Sequence, residues 1–211
     1  TEATAKNLGY DTYETVVNTS PDKPGFMGAG LLISKMLADK NTGKILGVQC
    51  VGTGDVSKQL ATAAMALTGG FTVEQLINLD MPYAPPFSLA IDHFVATAHL
   101  MQNKLKGRLQ GISPCAVHEK LEHNEKLFIL DVRGPDEYEQ MRLGIGETLI
   151  PSGVLRQRLD ELPQDKETEI ICYCKISLRG YEAQLVLNAY GWKNVKVMEG
   201  GVMAWPYPRE K

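Results

Sequence analysis

The run Cys172-Tyr173-Cys174-Lys175-Ile176-Ser177-Leu178-Arg179-Gly180 places a cysteine and an arginine at the two ends of a short loop. Residues 169 to 173, Glu-Ile-Ile-Cys-Tyr, read as an apolar strand rich in β-branched side chains. From Ser177 onward Leu178, Ala183, Leu185, Val186 and Ala189 recur at helical spacing. Cys174 is therefore expected at a strand end facing a helix start. There the backbone N–H groups, the helix dipole, Lys175 and Arg179 all favour negative charge. This arrangement predicts a thiolate stabilised relative to the ordinary thiol pKa of about 8.5, and hence a sulfur nucleophile.

Loop length narrows the chemistry. Five residues between cysteine and arginine suit a phosphate-sized anion, as in cysteine phosphatases. The four found here, Lys175, Ile176, Ser177 and Leu178, make a smaller cradle that better fits a terminal persulfide sulfur. The strand, the Cys-x4-Arg loop and the helix after it resemble the active-site loop of the rhodanese (sulfurtransferase) family. Phe128-Ile129-Leu130-Asp131-Val132-Arg133, followed by Pro135-Asp136-Glu137-Tyr138, resembles that family's Asp-Val-Arg motif and acidic helix start. Gly200-Gly201-Val202-Met203-Ala204-Trp205 resembles its Gly-Gly-x-x-Ala-Trp ending, so that the likeness spans residues 112 to 208. The resemblance implies that Cys174 and Arg179 are catalytic, and that Asp131 and Arg133 are a supporting pair behind the site.

Two departures from the family pattern carry expectations of their own. Ser177 stands where many active rhodanese loops have glycine, which predicts a loop less free to turn its N–H groups inward. Residues 141 to 151 lack the Gly-His-Ile-Pro-Gly-Ala pattern usual after the acidic helix, and no site residue is assigned there.

The elements that must position this loop are those of a soluble globular chain. Its 211 residues are 44% hydrophobic and 22% charged, a length that admits one or two domains. The net charge of -3 argues against nucleic acid or an anionic membrane as the main partner. No apolar run reaches transmembrane length, and the first residues do not read as a signal peptide. The four cysteines, at 50, 115, 172 and 174, show no zinc-like pairing and are read as reduced thiols. A cytoplasmic location is expected. The opening Thr1-Glu2-Ala3 lacks an initiator methionine and reads like part of something longer.

The basic, glycine-punctuated stretch 104 to 112 marks a seam, predicting domains at 1–106 and 112–211 with a linker at 107–111. Ser113-Pro114 then supplies an N-cap and a first-turn proline. Strands near 128–132, 169–173 and 194–198 alternate with helices near 153–161 and 178–190, predicting an α/β domain with a parallel sheet covered on both faces. The first half predicts an α+β domain with an antiparallel sheet. Leu31–Leu37 and Ile45–Val51 flank a polar turn, helices follow from about Val56 to Leu67 and after Thr72, and a last helix runs roughly from Leu89 to Asn103.

Thr42-Gly43-Lys44-Ile45-Leu46-Gly47, Val51-Gly52 and the helix after them resemble the interface domain of the FAD-dependent pyridine nucleotide-disulfide oxidoreductases. Tyr83-Ala84-Pro85-Pro86-Phe87-Ser88 resembles the coenzyme A-disulfide and persulfide reductase branch, whose members include reductase-rhodanese fusions. The resemblance implies a homodimer in which Tyr83 reaches toward the partner's reductase site. It also implies FAD, NAD(P)H and coenzyme A for a longer parent protein, the missing FAD and NAD domains as partners, and no cofactor held by this segment itself. A sulfane-sulfur donor and a thiol acceptor, such as one yielding coenzyme A persulfide, are the implied substrates.

Blander readings stand beside these. Gly52-Thr53-Gly54-Asp55-Val56-Ser57 imitates a dinucleotide fingerprint, but Ser57 replaces its third glycine and a strand-to-helix turn explains it. Cys172 is read as a small packed hydrophobe, and Cys50 and Cys115 as structural. His93 and His99, six apart, share no helix face, and His118 and His123 fare no better, so no metal site is predicted. The competing function is a non-catalytic dimerisation and sulfur-compound-binding or regulatory module.

Overall fold

A computed structural model describes all residues from 1 to 211 and divides the chain into two compact units, Thr1–Arg108 and Leu109–Lys211. Of the segment 107–111 expected as a linker, Leu109 is buried and Gly111 begins a strand of the second unit.

The first unit opens with α1 (Glu2–Asn7), capped by Thr1, and β1 (Tyr13–Pro21). β2 (Leu31–Asp39) and β3 (Ile45–Gly52) complete an antiparallel sheet in the order β1-β2-β3. The hairpin between β2 and β3 matches its expectation. Asp39 closes the turn by accepting from the N–H groups of Asn41 and Thr42, at 2.9 and 2.7 Å. β1 was not anticipated, because its buried positions carry polar residues in place of an apolar alternation. Asn18 is buried there, donating to Thr97 Oγ1 at 3.0 Å.

α2 (Val56–Thr68) starts at Asp55, which caps it through the Lys58 N–H, and packs on β3. α3 (Val73–Leu76) carries the capping box expected at Thr72, closed by Gln75. α4 (His93–Leu105) packs on β1 and β2. It begins four residues later than the expected Leu89, because Asp92 is the capping side chain, accepting from the Phe94 N–H at 2.9 Å and pairing with Lys58 at 2.8 Å.

The second unit holds β4 (Gly111–Ile112), α5 (Pro114–Glu122), β5 (Leu127–Asp131), α6 (Pro135–Gln140) and β6 (Thr148–Leu149). β7 (Glu169–Tyr173), α7 (Leu178–Ala189) and β8 (Val195–Met198) follow. All five strands are parallel, in the order β4-β8-β7-β5-β6. Alternation along β7 divides the core between the two faces of the sheet. Ile170 and Cys172 pack with Leu155, Leu162, Ala183 and Leu187, while Ile171 and Tyr173 pack with Val117, Val202 and Trp205.

One expectation fails here. Residues 152 to 161 form two short 3-10 turns, Ser152–Gln157 and Leu159–Glu161, where a single α-helix was predicted. Ser152 makes no side-chain cap, and the chain departs from helical geometry at Arg158, which pairs with Glu161. Leu155 and Leu162 still reach the core.

Candidate active site

The site grows from the end of β7. The strand delivers Cys172 and Cys174 to the same core cluster, and burial of Cys172 pushes its thiol pKa strongly upward, as suits a packing residue. Cys174 itself is only 2% exposed.

Two supports hold the loop from Cys174 to Ser177. From behind, Val202 N–H donates to the Cys174 carbonyl at 2.9 Å and Met203 N–H to the Lys175 carbonyl at 3.1 Å. This approach requires Gly201, whose φ is +60° and whose hypothetical Cβ would lie 2.4 Å from the Cys174 carbonyl oxygen. The Gly-Gly-x-x-Ala-Trp stretch is thus the seat of the loop.

The second support is Ser177. It adopts a left-handed conformation, φ 85° and ψ -16°, despite having a side chain, and its Oγ donates to the Met198 carbonyl at 2.7 Å. The expected loss of loop freedom is therefore answered by a strained backbone held by one hydrogen bond, and α7 begins at the next residue.

Arg179, in the first turn of α7, is clamped by Glu137, its two terminal nitrogens donating to the carboxylate oxygens at 2.7 and 2.8 Å. Cys174 lies within electrostatic reach of the same guanidinium. The Arg179 pKa is raised above the ordinary arginine value chiefly by the Glu137 bond, against burial, and also by Cys174. Glu137 is driven down to about 2, first by the Arg179 hydrogen bond and also by the Gly134 N–H, with burial opposing.

Behind this pair Asp131, fully buried, holds Arg133 through its Nε and Nη2 at 2.9 and 2.6 Å. Arg133 Nη1 donates to the Glu137 carbonyl at 3.2 Å. A continuous set of polar contacts thus runs from Asp131 through Arg133 and Glu137 to Arg179. Glu137 belongs to the acidic helix start, and the sequence pattern alone does not mark it as a site residue. The available signal was an acid two residues beyond a helix-opening proline, just after Asp-Val-Arg.

Lys175 is exposed, and with Arg133, Glu137, Met141 and Met203 it lines a cavity of about 60 Å³. Ile176 is half-buried, and Leu178 is exposed beside it. Residues 141 to 151, left without a site assignment, fold around Glu147. Burial pushes that carboxyl upward, but the N–H groups of Leu143, Gly144 and Ile145 prevail and hold its pKa below the usual range.

Other candidates fall elsewhere. Tyr83 belongs to the first unit, 54% exposed in the irregular stretch before α4. His93 is buried in that unit and bonds Ser20 and Ser34 through its two ring nitrogens, at 2.6 and 2.8 Å. Cys115, read as structural, is exposed on α5. The turn at Gly52 does not fit a dinucleotide. β3 lies in an antiparallel sheet, and the Asp55 carboxylate already occupies the start of α2, where a pyrophosphate would need to sit.

Comparison with known proteins bears on both units. Residues 113–206 match the rhodanese-like domain family, and residues 1–94 match the pyridine nucleotide-disulphide oxidoreductase dimerisation domain. A putative sulfurtransferase of Bacillus subtilis, YtwF, is 33% identical over 102 residues, which cover 46% of this chain and 90% of that protein. The chain belongs to the rhodanese-like family. Its rhodanese-like domain follows a dimerisation domain, and this pairing is seen in solved structures. The NAD-dependent persulfide reductase from A. fulgidus aligns with 98% of this chain at 35% identity and TM-score 0.86. Bacillus anthracis CoADR-RHD aligns with 97% at 30% identity and TM-score 0.85. The chain spans 36% of the length of each of those two proteins. It also matches 23% of the NAD(P)H coenzyme A polysulfide/persulfide reductase of Pyrococcus horikoshii, at 32% identity.

Proposed function

We propose that the rhodanese-like domain transfers sulfane sulfur through a persulfide on Cys174. The observation that carries this reading is Arg179, held by Glu137 at the far end of the four-residue loop that Cys174 opens. The Cys174 thiolate attacks the outer sulfur of a donor such as thiosulfate. A Cys174 S–S bond forms, the donor's S–S bond breaks, and sulfite leaves with the electron pair. The loop N–H groups and Arg179 stabilise the persulfide anion, with Lys175, Ile176, Ser177 and Leu178 forming its cradle. A thiolate acceptor then attacks the outer sulfur, takes it as a new persulfide and restores Cys174, so the cycle has no net oxidation.

The parent context follows from the dimerisation domain. This chain is read as part of an FAD- and NAD(P)H-dependent disulfide or persulfide oxidoreductase acting with coenzyme A, with the sulfur acceptor or product handed to its flavin site. Tyr83 serves that site across a homodimer. Val51, Met65, Tyr83 and Phe87, all exposed on the first unit, are surface that partner domains would cover. Domain limits of 1–106 and 112–211, with a joint at 107–111, accompany this reading, as does a cytoplasmic setting.

The burial of Cys174 favours a second reading, a module that binds sulfur compounds without turning them over. Thiosulfate:cyanide sulfurtransfer by the wild type and by Cys174→Ser separates the two. Transfer requires activity in the first and its loss in the second. No activity in either leaves the binding module.

A further inference from the structure

Helix α7 is apolar on two sides. Ala183 and Leu187 turn into the core with Leu155, as a helix lying on a sheet requires. Leu185, Ala189 and Tyr190 form a second stripe at helical spacing, in which Leu185 and Tyr190 remain 47% and 51% exposed. A surface helix ordinarily carries polar side chains on that side. Between this stripe and the 3-10 turn Ser152–Gln157, on which α7 packs, runs a groove of about 560 Å³.

The groove carries one charge on each wall. Arg156 belongs to the turn and Glu182 to α7; both are exposed, and neither side chain makes a hydrogen bond or ion pair within the chain. Neighbouring arginines are treated otherwise. Arg158, two residues on, is paired with Glu161, and Arg179, one turn before Glu182, is paired with Glu137. An apolar stripe and two free charges of opposite sign therefore share one patch, and such a patch can complement a copy of itself.

We propose that this face of the second unit is an interface between two copies of the chain, related by a two-fold axis. Under that symmetry the patch meets itself, so Arg156 pairs with Glu182 of the partner subunit and the contact is made twice. The ridge of Leu185 and Tyr190 enters the facing groove, and the small Ala189 lets the two α7 helices approach. Tyrosine and arginine, both present on the patch, are types enriched at interfaces. The balanced pair of charges favours a copy of this chain over a partner of one charge sign. The contact lies outside residues 1–94, the dimerisation domain, and is independent of the sulfurtransfer reading.

Sedimentation equilibrium of the full chain reads this association, as tetramer to dimer if the first unit also dimerises and as dimer to monomer if it does not. Arg156→Glu and Glu182→Arg each set like charges together twice across the axis. Each is expected to raise the dissociation constant about tenfold or more. The double exchange, Arg156→Glu with Glu182→Arg, restores both pairs and should recover most of the loss. An equal mixture of the two single variants should also assemble, because each then meets opposite charges. Leu185→Asp should weaken association with both charges in place. None of these residues belongs to the Cys174 site, and melting curves check folding. One assembly state shared by the wild type and every variant overturns the proposal and leaves the groove to another occupant. Single variants that are weakened but rescued neither by the double exchange nor by mixing overturn the two-fold pairing.

Discussion

Glu137 grips both terminal nitrogens of Arg179, at 2.7 and 2.8 Å, and thereby fixes the guanidinium at the end of the loop that Cys174 opens. The ion pair is partly exposed, so its worth lies in orientation more than in stability. Glu137→Gln keeps the shape and removes the charge. Sulfurtransfer kcat/KM should fall about 10- to 100-fold through misplacement of Arg179, with little change in melting temperature. An unaltered kcat/KM would remove Glu137 from the site.

Gly201→Ala should be far more damaging. The left-handed backbone and the carbonyl oxygens of Cys174 and Lys175, 2.4 and 2.6 Å from the added methyl group, leave it no space. A loss of about 2–4 kcal/mol in the second unit is expected from such strain, read from its denaturation curve, together with loss of activity.

Ser177 gives a finer comparison. Ser177→Gly relieves the left-handed strain but loses the bond to Met198, two effects of about 1 kcal/mol each that nearly cancel. Ser177→Ala keeps the strain and loses the bond, and should cost about 1–2 kcal/mol. Wild-type stability in Ser177→Ala would show that the hydroxyl contributes nothing, and equal stability of the two variants would show the same of the left-handed strain.

These sites differ in how legible they were. Cys174 and Arg179 could be read because their chemistry depends on two residue types at one spacing and on the alternation of Ile170 to Tyr173, which is local. Thr72 and Ser113 could be read as caps for the same reason. β1 could not, since Asn18 is buried by a bond to Thr97, a residue far along the chain. The 3-10 turns at 152–161 and the contact of Arg209 with Met141 were equally hidden, the latter because the two lie 68 residues apart. Glu137 was visible as a residue, but its role depends on a contact with α7 that no local pattern encodes.

His93 predicts a pH dependence in the first unit. Burial lowers its pKa from 6.5 to about 4, with Asp92 partly opposing. The unfolded chain therefore binds a proton between pH 6.5 and 4 that the folded one refuses, and stability falls as pH falls through that window, by up to about 3 kcal/mol. Melting of the first unit from pH 8 to 4 should show this slope, and His93→Gln should flatten it. Glu137 acts lower. Its depressed carboxyl contributes only a small, solvent-screened stability above the usual carboxylate range, and this is lost as pH falls toward about 2. The two groups are thus separable on one pH axis. A slope that persists between pH 6.5 and 4 in His93→Gln would assign it to other groups.

Sulfur loading of Cys174 tests the central claim most directly. The chain is incubated with thiosulfate, alkylated and digested, and the Cys174 peptide is weighed beside those of Cys50, Cys115 and Cys172. Sulfurtransfer predicts the mass of one additional sulfur atom on Cys174 alone, removable by a thiol and absent from Cys174→Ser. A Cys174 peptide that gains no sulfur, or a Cys174→Ser chain that still transfers it, would contradict the account.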